Sequence, residues 1–530
     1  MTPNEEGRLS GRNAWLIVGV LTVLALILRL ANFGDSLIWD EGSTRFVVHN
    51  RHFVDMLEYV KGEQEVSPPL YFILAWLSQR FGDSPELYRL PALLAGLATV
   101  PLTFVLGRLT VGARAGILGS ALVALSPFMI FYSTEARGYS LLALCVVISS
   151  IALLKALKGN RTGWWVLFAF ASAAAMYAHY TALFVLAAQF VWALVAFPDR
   201  RKQLVGASIG AAILFLPWLP EYKADSDSPG ANVIGALFPF DVDSAWHGLL
   251  HWSVGHPFVG AGSIPGPVFL ALFATGLLLG AFGLLRRIAE NGSWRPDRLI
   301  VLPVLLAVSA PIGTILFSTF SVSVFLPRNL APSSVGLALV VAALLAAPRN
   351  TVVRWSATGL VLACFSFAAI STLNSENRRP NYLAAAGFIE SKAAPGSVVV
   401  DAGGLQPAPT GNLDVAFEIK GTDLPVIRIG VPSRDDLAAA IAPGGAGRYS
   451  SFEVTPTAEV VTESLDRADG APLFLVSGTG EVYGRMFDSP ATEEFEQALR
   501  GKATEVDSRE FTGLGYTVTV REFEPVEDGS

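Results

Sequence analysis

Asp40 and Glu41 stand side by side in SLIWDEGSTRFVVHN, residues 36–50, directly after the first long apolar run of the chain. Further along, Glu65-Val66-Ser67-Pro68-Pro69 opens a short apolar stretch, and Tyr132-Ser133-Thr134-Glu135-Ala136-Arg137 separates two long ones. His179-Tyr180 joins two more, and Pro327-Arg328-Asn329 precedes another. A carboxylate so placed could take the proton of a hydroxyl nucleophile. The guanidinium of Arg137 or Arg328 has the planar fork that matches two phosphate oxygens. Taken singly, each residue also has a plainer account. Asp40 and Glu41 read as a solvated helix end, Glu135 with Arg137 as a surface ion pair in a turn, His179 with Tyr180 as interfacial anchors, and Arg328 as a side chain snorkelling from a span end. Ionisable groups at membrane depth are costly and gather around water-filled cavities. The question is therefore whether these groups share one side of the membrane.

The elements that must position them are apolar helices. The 530 residues are 52% hydrophobic, with a mean hydropathy of +0.48, too few charges for several water-soluble domains. Runs long enough to span lie at about 14–33, 88–107, 113–131, 138–157, 163–178, 180–197, 204–222, 266–285, 299–320, 329–347 and 354–373. The stretch PPLYFILAWLSQRF, 68–81, is too short and starts at a proline pair, which suits a re-entrant or interface-lying helix. Basic clusters decide the orientation. If 68–81 does not cross, Arg8 and Arg12, Arg108 and Arg114, Lys155, Lys158 and Arg161, Arg200 to Lys202, Arg286, Arg287, Arg295 and Arg298, and Arg349 and Arg354 all fall inside. The first outer loop departs from the rule by keeping Arg45, Arg51, Lys61, Arg80 and Arg89. In this topology every residue singled out above lies on the outer face.

The fold expected is an α-helical polytopic membrane protein, about eleven transmembrane helices plus the re-entrant or juxtamembrane helix, followed by a soluble α/β domain. The division falls between residues 1–375 and 376–530. The tail carries 25 acidic against 13 basic residues, net −12, leaving the membrane part at +5. Neither part shows the clustered basic surface that nucleic-acid binding requires. In the tail, NYLAAAGFIESK and TEEFEQALR read as helices, and GSVVVDAG, PLFLVSG and GYTVTVREF as strands. Cys145 and Cys364 lie inside apolar runs and read as packing residues. His247, His251 and His256 have metal-like spacing, but no acidic partner completes a ligand set and Pro257 breaks the pattern. The first apolar run is long for a signal peptide and no small-residue cleavage site follows it, so it reads as a retained anchor.

The order WDEG, SPPLYF, RLPALLAGLATVPLTFVLGRLTVGARAGILGSALVALSPFMIFYSTEARGYSLL, MYAHYTALFVLAAQ, LPWLP and FLPRNLAP resembles bacterial membrane glycosyltransferases of the GT-C superfamily, protein-mannosyltransferase-like and related to aminoarabinose transferases. The resemblance covers about residues 14–400. It departs at Ser67, where such sequences often have histidine, and at Asn329, where an aromatic residue is usual. It implies transfer of a sugar, with inversion, from a polyprenyl-phosphate donor to a hydroxyl of a glycan, lipid or protein acceptor, at the outer face of a bacterial cytoplasmic membrane. It implies Asp40 as the catalytic base. Glu41, Ser67, Tyr132, Glu135, Arg137, His179, Tyr180 and Arg328 would contact substrate. Glu135 would hold Arg137 or join Asp40 around a divalent metal ion; no other cofactor is implied. The residues make independent sense of this chemistry. A polyprenyl tail must stay in lipid while its phosphate reaches water, and phosphate needs no acid to protonate it on leaving, so one carboxylate suffices. Readings from other classes are a secondary transporter, against which stands the lack of an internal repeat, a membrane acyltransferase, and a carrier-lipid-binding protein without catalysis.

Overall fold

Among the described residues eight helices are long and apolar enough to cross a membrane: Gly11–Leu30, Pro85–Thr110, Tyr139–Lys158, Pro198–Asp225, Pro267–Glu290, Arg298–Phe320, Pro327–Ala346 and Thr351–Ser371. Three shorter apolar helices, Ala113–Leu125, Thr162–Ala178 and Ala182–Ala196, occupy the other expected spans. The computed structural model describes residues 11–62, 65–159, 161–227, 239–291, 297–402, 412–429, 457–482, 485–487 and 490–526. The chain divides into two compact units. One comprises Met1–Phe33, His52–Ser78 and Arg89–Leu373; the other comprises Gly34–Arg51, Gln79–Tyr88 and Asn374–Ser530.

In the first unit the helices sort by how much apolar surface they hide. The Tyr139–Lys158 helix is apolar all round and its central window is 83% buried, so it lies in the middle of its neighbours. The Pro267–Glu290 window is only 11% buried, and Leu278, Phe282 and Leu285 point outward. Such a surface is stable against lipid and unstable against water. Several buried threonine hydroxyls are satisfied within their own helices, Thr99 on Ala95, Thr103 on Thr99 and Thr314 on Ala310. Gln189 donates to Ser149 and Ser150 of the central helix at 3.2 and 2.8 Å, a polar contact between helices that excludes water. Gly107 lets two helix backbones meet, since a Cβ there would stand 2.5 Å from the Gly116 Cα.

Two expected spans are broken, each at proline. The run 113–131 divides into helices Ala113–Leu125 and Pro127–Tyr132. Pro127 has no N–H for the Val123 carbonyl four residues earlier. Arg29, fully buried on the first helix, supplies the missing donors, to Val123 O at 3.5 Å and Ala124 O at 3.2 Å. The run 204–222 becomes helix Arg201–Phe215, a 3-10 turn Leu216–Trp218 and helix Leu219–Asp227, with Pro217 and Pro220 at the joints. The stretch 68–81 forms helix Leu70–Ser78 followed by a 3-10 turn Gln79–Phe81. Nine residues rise about 14 Å, short of a hydrocarbon core of about 30 Å.

The second unit holds a mixed sheet in the order β2-β1-β3-β6-β5, with β4 paired to β3. The strands are β1 (Val398–Ala402), β2 (Val426–Arg428), β3 (Leu473–Val482), β4 (Arg485–Phe487), β5 (Ala503–Gly513) and β6 (Tyr516–Pro525). β1 runs parallel to both β2 and β3, and all five of its residues are buried, as expected of a strand covered on both faces. β6 pairs antiparallel with β3 and β5. Leu514 and Gly515, at φ 53 and 75, make the two-residue turn between β5 and β6. Val400, Leu475, Phe495, Leu499 and Phe523 belong to its core.

Candidate functional site

In the first unit the segment Ser133–Gly138 links the Pro127–Tyr132 and Tyr139–Lys158 helices, and every residue of it is buried. Its backbone is pinned from within: Ser133 Oγ donates to Met129 O, Thr134 Oγ1 to Phe131 O at 3.0 Å, and the Arg137 amide to Glu135 O at 2.7 Å. Gly138 permits a close approach to the next helix, since a Cβ there would come within 2.6 Å of Ala178 O. The turn therefore has little room to shift, and Arg137 leaves it in one direction.

Arg137 meets Glu65 as a fork, each terminal nitrogen donating to one carboxylate oxygen at 3.1 Å. One of those nitrogens also donates to Ser67 Oγ at 3.0 Å, and the guanidinium lies over the Phe72 ring at 5.6 Å. Both charged side chains are buried, a placement that holds only while the partners stay together. Ser67, accepting from a cation, keeps its own O–H to donate. Ser67, Tyr71, Phe72, Arg137, Tyr139 and His179 line one small cleft.

His179 lies in the connection between the Thr162–Ala178 and Ala182–Ala196 helices, outside both. Its Nδ1 accepts from the Thr181 amide at 3.3 Å, which places the ring proton on Nε2, and its ring packs on Tyr139 at 5.4 Å. Burial, and then the guanidiniums of Arg328 and Arg137, push the imidazole well below the usual histidine range. His179 is therefore neutral at any pH near 7. The unfolded chain binds a proton below about pH 6.5 and the folded chain does not, so stability falls as pH falls through that value. His179→Asn, which keeps an acceptor for Thr181, is expected to flatten the fall in melting temperature between pH 7 and pH 5. Melts in detergent at the two pH values check this; identical slopes for both proteins would refute it.

Arg328 is half-buried in the 3-10 turn Pro327–Ser333. The neighbouring Asn329 is turned inward, its amide donating to Val324 O at 2.6 Å, so it shapes the turn that carries Arg328. Tyr180 donates its hydroxyl to Asp225 and accepts from Trp218 Nε1 at 3.0 Å. Tyr132 is buried among the rings of Phe128, Phe131 and Tyr139, and Glu135 is buried with its carbonyl accepting from Tyr71 at 3.4 Å. Of the residues expected from sequence, Ser67, Arg137 and His179 share the cleft. Arg328 adds its charge to theirs. Two further residues belong here: Glu65, the acid two places before Ser67, to which the sequence assigned a side of the membrane but no role, and Asp225, which follows the LPWLP break and which sequence reasoning passed over. Asp225 adjoins Glu65 closely enough for the two negative charges to act on each other.

The second unit contains Asp40 and Glu41. Asp40 is half-buried at the start of helix Asp40–Val48. Glu41 is 1% exposed and pairs with the equally enclosed Arg379 at 2.9 Å. Arg45 forks onto Asp83, at 3.1 and 2.6 Å, and also meets Glu418. Burial opposes the charge on Asp83, but the bonds from Arg45 and Tyr88 outweigh it and hold this carboxyl below its usual range. Asp35 pairs with Arg378, and Ser36 Oγ accepts from the Leu383 amide at 2.9 Å. The residues around Asp40 thus pack with the C-terminal part of the chain.

Among the described residues no group of three or more His, Cys, Asp or Glu side chains converges in a way that could hold a metal ion. His251 Nδ1 faces Pro257 O at 2.9 Å, and His247 stands beside Asp243 on an exposed helix.

Residues 66–220 match the family model described as dolichyl-phosphate-mannose-protein mannosyltransferase. Among curated proteins none matches the sequence. The fold is similar to that of ArnT from Cupriavidus metallidurans bound to undecaprenyl phosphate, with a TM-score of 0.53 at 14% identity over 96% of this chain and 97% of that one. The apo state of the same protein gives a TM-score of 0.54 at 14% identity, over 96% and 98%.

Proposed function

We propose that the chain is a multi-pass membrane protein of the GT-C superfamily, of the protein-mannosyltransferase and ArnT type, and a glycosyltransferase using a polyprenyl-phosphate-linked sugar, a reading supported by the family match and the shared fold. It transfers the sugar to a hydroxyl acceptor, glycan, lipid or protein, at the outer face of a bacterial cytoplasmic membrane. Its C-terminal unit is extracytoplasmic.

The observation that carries this reading is the fork between Arg137 and the buried Glu65, with Ser67 on the same guanidinium and Arg328 close enough to act on His179. A guanidinium locked by a buried carboxylate is oriented before any ligand arrives, and a preoriented cation costs no reorganisation when charge develops. Phosphate is the anion that suits the cluster, since the fork of Arg137 is taken up by Glu65 while Ser67 and Arg328 are donors for phosphate oxygens. Arg137 polarises Ser67, whose O–H donates to a phosphate oxygen, and Arg328 meets another. Neutral His179 and Tyr180, the latter fixed by Asp225 and Trp218, form walls that take sugar hydroxyls.

The reaction is a single displacement. The acceptor oxygen bonds to the anomeric carbon from the face opposite the phosphate, the bond from that carbon to the phosphate oxygen breaks, and its electron pair stays on the phosphate. Configuration inverts. Asp40 takes the acceptor proton as the new bond forms.

Purified protein in detergent, mixed with radiolabelled undecaprenyl-phosphate mannose, glucose or arabinose and a membrane extract as acceptor source, tests the reading. Consumption of one donor with label passing to acceptor is the expected result. Movement of labelled lipid or solute across sealed vesicles with no donor consumed would replace it with the transporter reading.

A further inference from the structure

Asp40 is held from both sides by residues of the C-terminal part of the chain. On one side Trp39 has φ 48 and ψ −117, in a region that side chains avoid. Such a conformation persists only where the surroundings over-determine it. Here the Trp39 amide donates to Asn412 Oδ1 at 3.0 Å, and Asn412 is 4% exposed at the start of helix Asn412–Lys420. On the other side the Glu41 carboxylate is fastened to Arg379. The helix itself forgoes a side-chain cap. Trp39 occupies the capping position, and Asp40, a residue well suited to cap, is placed one step inside. A loop selected only to start a helix would put the aspartate at the cap and leave the preceding backbone relaxed.

We propose that Asn412 and Arg379 are positioning residues that aim the Asp40 carboxylate, which makes the C-terminal unit part of the catalytic apparatus. The inference rests on the reading of Asp40 as base. Asn412 fixes the peptide entering Asp40 and Arg379 the residue leaving it, so the orientation of the side chain between them is set by two contacts more than 370 and 330 positions away in sequence. Both contacts lie outside the Asp40 side chain, so their loss displaces the base without removing it.

The full-length protein is assayed with the three labelled undecaprenyl-phosphate sugars, and hydrogen exchange is read over residues 36–48. Asn412→Ala is expected to lower kcat by about 100-fold, the order set by an ångström-scale displacement of a reacting group, with donor KM unchanged and protection of the Trp39 amide lost. Asn412→Asp keeps an oxygen for that amide and restores kcat. Arg379→Met behaves like Asn412→Ala, and Arg379→Lys recovers part of the activity. Unchanged exchange at Trp39 in Asn412→Ala overturns the proposal whether or not a donor is consumed. Wild-type kcat in Asn412→Ala also overturns it, provided Asp40→Asn is inactive, and in that event the base reading survives. Full turnover by Asp40→Asn would sink the base reading instead, independently of Asn412.

Discussion

Asp40→Asn is expected to lower turnover by about 10²- to 10⁴-fold, the range spanned by positioned general bases, while the protein still binds donor. The amide has the shape of the carboxylate and keeps an oxygen acceptor, but it takes no proton at neutral pH. The acceptor hydroxyl must lose its proton as the bond to the anomeric carbon forms, so the loss appears in kcat. Binding is separable because in this reading the donor is held by Ser67, Arg137 and Arg328. Stabilisation of the variant by undecaprenyl phosphate, measured as a shift in melting temperature, reports that binding directly. Asp40→Glu keeps the base but lengthens its reach by a methylene, and recovers part of the rate. Turnover by Asp40→Asn within a few-fold of wild type would reject the assignment. Loss of the thermal shift together with turnover would place Asp40 in donor binding and not in proton transfer.

How much of this was legible in the amino-acid order depends on the kind of force involved. The apolar runs were, because a span is a matter of length and hydropathy alone, and helices lie along the expected runs, some of them interrupted at proline. The break after Ser126 was not. Proline is tolerated inside other long helices here, Pro91 and Pro101 in Pro85–Thr110 among them, and what stabilises the break at Pro127 is Arg29 on a different helix. In the tail, β1 and β6 announce themselves by a continuous apolar run and by alternation. β5 does not, since most of its residues are outward-facing and its strand character comes from pairing with β6. The same holds at the site. Arg137 and Ser67 stand out as polar residues flanking apolar sequence, but the carboxylate on Arg137 comes from Glu65, 72 positions earlier. Glu135, two residues from Arg137, was the natural guess from proximity in the chain. Glu41 reads by spacing as a solvated acid and by resemblance as a substrate contact; its place against Arg379 follows from a contact across most of the sequence. Local patterns report helices and strands, whereas ion pairs are chosen by the fold.

That choice makes the Glu65–Arg137 pair the most informative place to separate stability from chemistry. Arg137→Met is expected to destabilise the protein by about 3–5 kcal/mol, because it leaves the Glu65 carboxylate buried without its counter-charge. Arg137→Lys does little better, since one ammonium cannot reproduce the two parallel bonds to Glu65 and the third to Ser67. Activity is lost in both, but that alone says nothing of mechanism. The double variant Glu65→Gln with Arg137→Met resolves it. Removing both charges removes the uncompensated one, so most of the lost stability returns, while turnover does not, because nothing then polarises Ser67 or balances charge on the departing phosphate. The coupling between the two sites, taken from melting of all four proteins, should exceed the 0.5–3 kcal/mol or so common for residues in contact or lie at its upper end. If the double variant melts like wild type and also turns over like it, the pair is a structural clamp and the phosphate is held elsewhere. If instead it stays as unstable as Arg137→Met, burial of Glu65 is not what made the single change costly, and the lock on Arg137 must be ascribed to its packing over Phe72.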